Sequence, residues 1–167
     1  VNAIKYVGAK VVFIDVNFLT SQIDEALLEK KISKKTKALI VPHLYGQSAE
    51  IEKIKKICKK KKVYLVEDCA ESFGCFFNKK HLGTFGEIGT FSFFGSKTIT
   101  TGEGGMVVTS NKKIADKINK LKTQGVVRKK NDYWHDIIGY NYRMTNICAA
   151  IGLAQLEKKN LILKKKN

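Results

Sequence analysis

The chain has 167 residues, 44% of them apolar and 28% charged, which suits an ordinary globular domain and excludes a disordered or fibrous chain. With no apolar run long enough to span a bilayer, and no basic head leading into an apolar stretch at the start, neither a membrane span nor a secretory leader is expected, and a cytoplasmic setting is. The formal net charge is +16, but of the 31 basic residues only Arg128 and Arg143 are arginines; planar phosphate and base recognition favours arginine, so the charge reads as solvated lysine and nucleic acid is not the expected partner.

In chain order, VVFIDV at 11–16 predicts a β-branched strand ending in an acid, and IDEALLEKKI predicts a helix with Ile23, Leu27 and Leu28 on one side. ALIVPHLYG predicts a strand at 38–41 stopped by Pro42, the only proline. SAEIEKIKKICKKKK predicts a helix capped by Ser48, with Glu50 in its first turn, an apolar stripe of Ile51, Ile54 and Cys58, and lysines at the C-terminal end where the helix dipole favours them. VYLVED, an unbroken apolar run, predicts a strand covered on both faces.

This alternation predicts an α/β fold, a mostly parallel sheet flanked by helices, in which ligands bind beyond the carboxyl ends of the strands. Asp68 stands at such an end. Two readings of it stay open: a ligand contact, or a local cap for CAES in which Glu71, three residues on, completes a capping box.

TFSFF at 90–94 and GMVVTS at 105–110 predict two further strands, with Lys97 in the connection between them. Gly95, Ser96, Thr98, Thr100 and Thr101 surround that lysine, residues that allow close backbone approach and supply hydroxyls. Neither GxGxxG nor a P-loop sequence occurs. A lysine in such a setting suits covalent attachment to a carbonyl cofactor, for which pyridoxal phosphate is the usual partner. That cofactor asks for an acid beside its pyridine nitrogen, which Asp68 can supply, and for phosphate donors, for which Ser92 and Asn141 are candidates. Cys58, Cys69, Cys75 and Cys148 form no CxxC pair and read as buried free thiols, with no metal site expected.

Taken together, VGAKVVFIDV, VPHLYG, VEDCAESFG, HLGTFGEIGTFSFFGSKTITTGEGGMVVTS and IGYNYRMTNICAAIGLAQLE resemble the DegT/DnrJ/StrS family of pyridoxal-phosphate-dependent nucleotide-sugar aminotransferases. The resemblance implies the fold-type I transferase architecture and a homodimer with active sites at the subunit interface. It implies that Lys97 is the lysine bonded to the cofactor, which also moves protons during transamination, and that Asp68 pairs with the pyridine nitrogen. By the same resemblance Glu71 packs over the ring face, Ser92 binds the phosphate, and Asn141 reaches the phosphate of the neighbouring subunit's cofactor. Arg143 shares that last motif and reads as structural or near the substrate. His43 and Tyr45 match family loop positions for which a structural role is an equal alternative.

Relatives with histidine at the position of Lys97 carry out a dehydration instead, so lysine here implies amino transfer. Glutamate is the implied donor and the keto group of a nucleotide-linked sugar the acceptor. FFGSKTITTGEGG most resembles members that make GDP-perosamine from GDP-4-keto-6-deoxymannose, although other ketosugar aminotransferases share much of it. The resemblance further implies that residues 1–167 are the central part of the cofactor-binding large domain. An N-terminal segment and a C-terminal small domain would lie beyond them, and the piece alone would be inactive.

Overall fold

The computed structural model describes residues 1–129 and 132–166. In chain order the elements are α1 (Asn2–Tyr6), a 3-10 turn (Glu25–Leu27) running into α2 (Leu28–Lys31), β1 (Ala38–Pro42), a 3-10 turn (Leu44–Gly46), α3 (Ile51–Lys61) and β2 (Tyr64–Asp68). A two-stranded hairpin of β3 (Phe76–Phe77) and β4 (Lys80–His81) precedes β5 (Ile88–Ser92) and β6 (Gly105–Val108). Then follow α4 (Lys112–Leu121), a second hairpin of β7 (Val126–Lys129) and β8 (Asp132–His135), α5 (Asn146–Glu157) and α6 (Lys159–Lys166).

The central sheet has the order β1-β2-β5-β6. Parallel pairing runs from Ala38 opposite Tyr64 to Pro42 opposite Asp68, and from Val66 opposite Ile88 to Asp68 opposite Thr90, while β6 closes the sheet antiparallel to β5. The expected α/β layout with a mostly parallel sheet is therefore present. Pro42 continues β1 rather than stopping it, which a proline can do because β1 is an edge strand with one unpaired side.

The two faces of the sheet differ. Residues alternate sides along a strand, and Leu39, Val41 and Leu65 face a core built with Ile51, Ile54 and Cys58 of α3 and Leu28 of α2. The other face carries Ala38 and Ile40 of β1, Tyr64, Val66 and Asp68 of β2, and Ile88, Thr90 and Ser92 of β5. Ile40 and Tyr64 remain exposed there. The expectation that β2 is covered on both faces therefore fails within this chain: its apolar run alternates between a packed side and an open one.

Three local expectations change as well. Residues 11–16 run on without a ladder; only an isolated bridge joins Val16 to Ile23, and Val12 and Phe13 stay exposed because no neighbouring strand pairs with them among the described residues. The helix expected from Ile23 is reduced to the 3-10 turn and the single turn of α2, although Ile23 and Leu28 are buried as expected. Ser48 does not cap α3: its hydroxyl donates to Ala49 O at 2.6 Å, and Glu50 occupies the cap position without a side-chain bond. All four cysteines are free, but only Cys58 and Cys69 are buried; Cys75 and Cys148 are partly exposed.

No helix among the described residues is long and apolar enough to cross a membrane. The asymmetry of the sheet is testable. Ile54→Ala on the packed side removes a fully buried side chain and should cost about 2–5 kcal/mol in a urea titration. Val107→Ala, at a position beside Thr90 on the open side, should stay within about 0.5 kcal/mol. Equal costs at the two positions would contradict the one-sided core.

Candidate active site

The open face leads to the carboxyl ends of two parallel neighbours. Asp68 is the last residue of β2 and Ser92 the last of β5, and since Asp68 pairs with Thr90, both side chains lie on the same side of the sheet. Asp68 Oδ1 accepts from Ala70 N at 3.1 Å, while its Oδ2 has no protein partner among the described residues. Residues 69–72 form a turn and not a helix, so the helix-cap reading of Asp68 reduces to this single bond. Ser92 Oγ accepts from Phe94 N at 3.3 Å, which leaves its own proton available for donation.

Lys97 sits in the connection from β5 to β6, and that connection is closed across its base. Phe93 N donates to Gly104 O and Thr101 N to Phe93 O, each at 2.9 Å. Two of the three threonine hydroxyls read from sequence as possible ligand donors are spent on the loop: Thr100 Oγ1 donates to Phe93 O at 3.1 Å and Thr101 Oγ1 to Glu103 O at 2.7 Å, while Thr98 Oγ1 accepts from Lys166 Nζ. The α5 helix adds a clamp, since the Gln155 amide accepts from Thr100 N at 3.0 Å and donates to Thr100 O at 2.8 Å. Gly152 allows this approach; a Cβ there would meet Thr101 Cγ2 at 2.8 Å. Lys97 thus rides on a rigid loop, its own N–H bonded to Phe94 O at 2.9 Å.

Behind this site lies a buried charge. Glu67 and His43 are both fully buried, with His43 Nε2 3.2 Å from Glu67 Oε2. Glu67 Oε2 also accepts from Gly83 N at 2.8 Å, and Oε1 accepts from Phe85 N at 2.6 Å and Gly86 N at 2.7 Å. His43 Nδ1 accepts from Ala49 N at 3.2 Å, so the network assigns the ring proton to Nε2, where it is donated to Glu67. Burial by itself raises the Glu67 carboxyl. Donation from His43 and from the Gly86, Gly83 and Phe85 amides outweighs it and holds the group below the ordinary carboxylate range.

Gly89 is part of this construction, because a Cβ on it would lie 2.2 Å from Gly83 O. Cys69 approaches the pair closely enough that His43, Glu67 and Cys69 would suit a metal ion by proximity. The donors are otherwise committed: both carboxylate oxygens and both ring nitrogens are hydrogen-bonded, and burial pushes the Cys69 thiol up to about 12.

Of the residues singled out from sequence, Asp68, Ser92 and Lys97 thus gather at one end of the sheet. Glu71 lies just beyond Asp68, but its Oε2 accepts from Tyr45 N at 3.0 Å, 26 positions back in the chain, and forms no capping box. Asn141 joins Thr123 through an isolated bridge and is exposed, as is Arg143, and neither side chain hydrogen-bonds to a described residue. Sequence reasoning missed Glu67, Gln22 and Gln155. Alternation alone could have found the first, since a neighbour of Asp68 in a strand must point the other way, into the core beside Leu65.

The match to a family model is decisive: it extends over residues 1–167 and describes the DegT/DnrJ/EryC1/StrS aminotransferase family. The chain belongs to that family. It is 53% identical over 166 residues to a GDP-perosamine synthase of Escherichia coli O157:H7, covering 99% of this chain and 45% of that protein. A GDP-perosamine synthase of Vibrio cholerae is 51% identical with the same coverage. Among solved structures, an aminotransferase of Helicobacter pylori involved in the biosynthesis of pseudoaminic acid superposes with a TM-score of 0.92 at 34% identity, over 96% of this chain and 43% of that one. An E. coli GDP-4-keto-6-deoxy-D-mannose-3-dehydratase with bound hydrated PLP superposes with a TM-score of 0.87 at 32% identity, over 93% of this chain and 44% of that one. The chain spans less than half the length of these family members.

The lowered Glu67 carboxyl gives a pH prediction. A group whose folded pKa is depressed contributes stability that is fully present above its unfolded value, about 4.3, and is lost as pH falls through the folded value. Stability should therefore fall on acidification below about pH 4. Glu67→Gln should flatten that dependence while costing about 1–3 kcal/mol at neutral pH, because its amide cannot accept all the bonds that converge there. A variant with the parent's acid profile would show that Glu67 does not carry it.

Proposed function

We propose that the complete protein carrying this chain is a pyridoxal-phosphate-dependent aminotransferase that moves an amino group, with glutamate as donor, to the keto group of a nucleotide-linked sugar. The observation that supports the reading is that Asp68 and Ser92 end adjacent parallel strands on the open face of the sheet, with Lys97 in the hydrogen-bonded loop that leaves the end of β5. The residues present fit the cofactor chemically: Asp68 keeps Oδ2 unpaired among the described residues, and Ser92 keeps a donor proton.

Pyridoxal phosphate, when bound, supplies an electron sink for the carbon that gains or loses the amine. Asp68 would hold the proton on the pyridine nitrogen through its carboxylate. Ser92 Oγ–H would donate to the phosphate, and Glu71 would lie against the ring. Lys97 Nζ would hold the cofactor covalently and, as a free amine, would accept and return a proton beside the reacting carbon. Asn141, exposed and bonded through its side chain to no described residue, suits a contact to the phosphate held by a second subunit in a cytoplasmic homodimer. A GDP-linked 4-keto-6-deoxy sugar is the acceptor we favour, supported by the 53% identity to a GDP-perosamine synthase.

Replacement of Lys97 by Ala in the complete protein should remove the visible absorbance of the lysine-bound cofactor and lower amino transfer from glutamate to the ketosugar by about 10²–10⁴-fold or more. Asp68→Asn should keep the fold, read by circular dichroism, while turnover falls by about 10²-fold. Retention of both absorbance and turnover in Lys97→Ala would overturn the reading.

A further inference from the structure

Several side chains are committed to one short turn after β1. His43 N donates to Asp68 O at 2.9 Å, which ties the start of the turn to the end of β2. The buried amide of Gln22 grips the next residue in both directions: Oε1 accepts from Leu44 N and Nε2 donates to Leu44 O, each at 3.1 Å. Tyr45 N donates to Glu71 Oε2 at 3.0 Å, and Gln47 N closes the turn onto Leu44 O at 3.0 Å. The His43 ring is itself fixed between Ala49 N and the buried Glu67.

What this scaffold presents to solvent is Tyr45, with φ 56° and ψ 29°, and with 76% of its surface exposed. The left-handed region is costly for a bulky residue, and glycine or asparagine would adopt it more easily. The next residue, Gly46 at φ 75°, follows that preference; Tyr45 does not. Strained residues persist where the surroundings over-determine them, and they concentrate at functional sites. Among the described residues the Tyr45 ring pairs with no other ring and its hydroxyl makes no hydrogen bond, so the advantage of an aromatic side chain there does not come from packing within the chain.

Its position indicates where the advantage arises. Pro42 pairs with Asp68, so the turn emerges at the carboxyl edge of the sheet directly beside the end of β2, where ligands of such sheets bind. Lys97 and Ser92 belong to the β5 side of β2, and Tyr45 to the β1 side. The turn that carries Tyr45 therefore lies on the side of Asp68 away from the lysine loop. A phenol offers a flat apolar face and one O–H, which suits contact with a ring of a sugar or base and with its polar substituents.

The geometry points to Tyr45 as a binding residue for the nucleotide-linked sugar, with Glu71 as a positioning residue that acts through the Tyr45 amide. This rests on the reading of function above. The strained turn is built in advance, so the backbone that carries the ring needs no ordering when the ligand arrives. Glu71 then does more than lie near the cofactor: the same carboxylate couples the end of β2 to the placement of the substrate-facing ring.

Calorimetric binding of GDP-perosamine to the complete, cofactor-loaded protein tests this without requiring turnover. Tyr45→Ala should weaken binding about tenfold or more, whereas Tyr45→Phe, which keeps the ring, should stay within about threefold. Tyr45→Gly relieves the backbone strain, so it should weaken binding as Tyr45→Ala does without lowering the melting temperature; a loss in this variant cannot be assigned to misfolding. Glu71→Ala should also weaken binding, and Glu71→Gln, whose amide oxygen can still accept from Tyr45 N, should restore most of it. The cofactor absorbance and the sedimentation of the Tyr45 variants should match the parent. Unchanged affinity in Tyr45→Ala and Tyr45→Gly would overturn the inference, as would loss of cofactor or of assembly in step with affinity. If the parent itself binds neither GDP-perosamine nor a UDP-linked amino sugar, the functional reading fails first and the inference with it.

Discussion

A buried carboxylate must be compensated by hydrogen bonds, and Glu67 meets that demand by drawing two separate segments onto β2. The amides of Gly83, Phe85 and Gly86 and the His43 ring all converge on it. An isolated buried charge would be prohibitive, and removal of its partners would leave it uncompensated. Its bonds therefore fix the end of β1, through His43, and the segment entering β5, through the 83–86 turn. Asp68 follows Glu67 directly in β2, so the anchoring of one residue toward the core fixes the other toward the open face.

The rest of the site is organised by that division. One side of the sheet is packed by α2 and α3, and its strand residues are ordinary core. The other side carries Asp68, Thr90 and Ser92, and the Lys97 loop leaves from the end of β5, steadied by α5 through Gln155 and Gly152. The role proposed for Lys97 would gain from such rigidity, because a covalent anchor and proton carrier works only over a narrow range of positions. The Thr100 and Thr101 hydroxyls serve this end by bonding loop carbonyls, while Ser92, at the strand end, keeps a proton to donate.

Much of this was legible in the sequence. The alternation of strands and helices, the apolar stripe of Ile51, Ile54 and Cys58, and the strand-end placement of Asp68 follow from local periodicity, which reports the side of an element that is buried; Ser92, expected within a strand at 90–94, ends β5 instead. What escaped depends on partners distant in the chain. The 11–16 run has strand composition yet no neighbour to pair with, and Ser48 has cap chemistry but bonds its neighbouring carbonyl instead. Glu71, spaced as a capping box, instead holds the amide of Tyr45. The roles of Gln22 and Gln155 are tertiary pairings across 22 and 55 positions, and no local pattern encodes them.

On the proposed reading, one lysine among many is singled out by its loop for covalent chemistry. The direct measurement is to load the complete protein with pyridoxal phosphate, reduce it with borohydride and map the modified peptide by mass spectrometry. The account predicts stoichiometric attachment at Lys97 and at no other lysine of this chain. Attachment spread over the surface lysines, or concentrated at a residue other than Lys97, would contradict it.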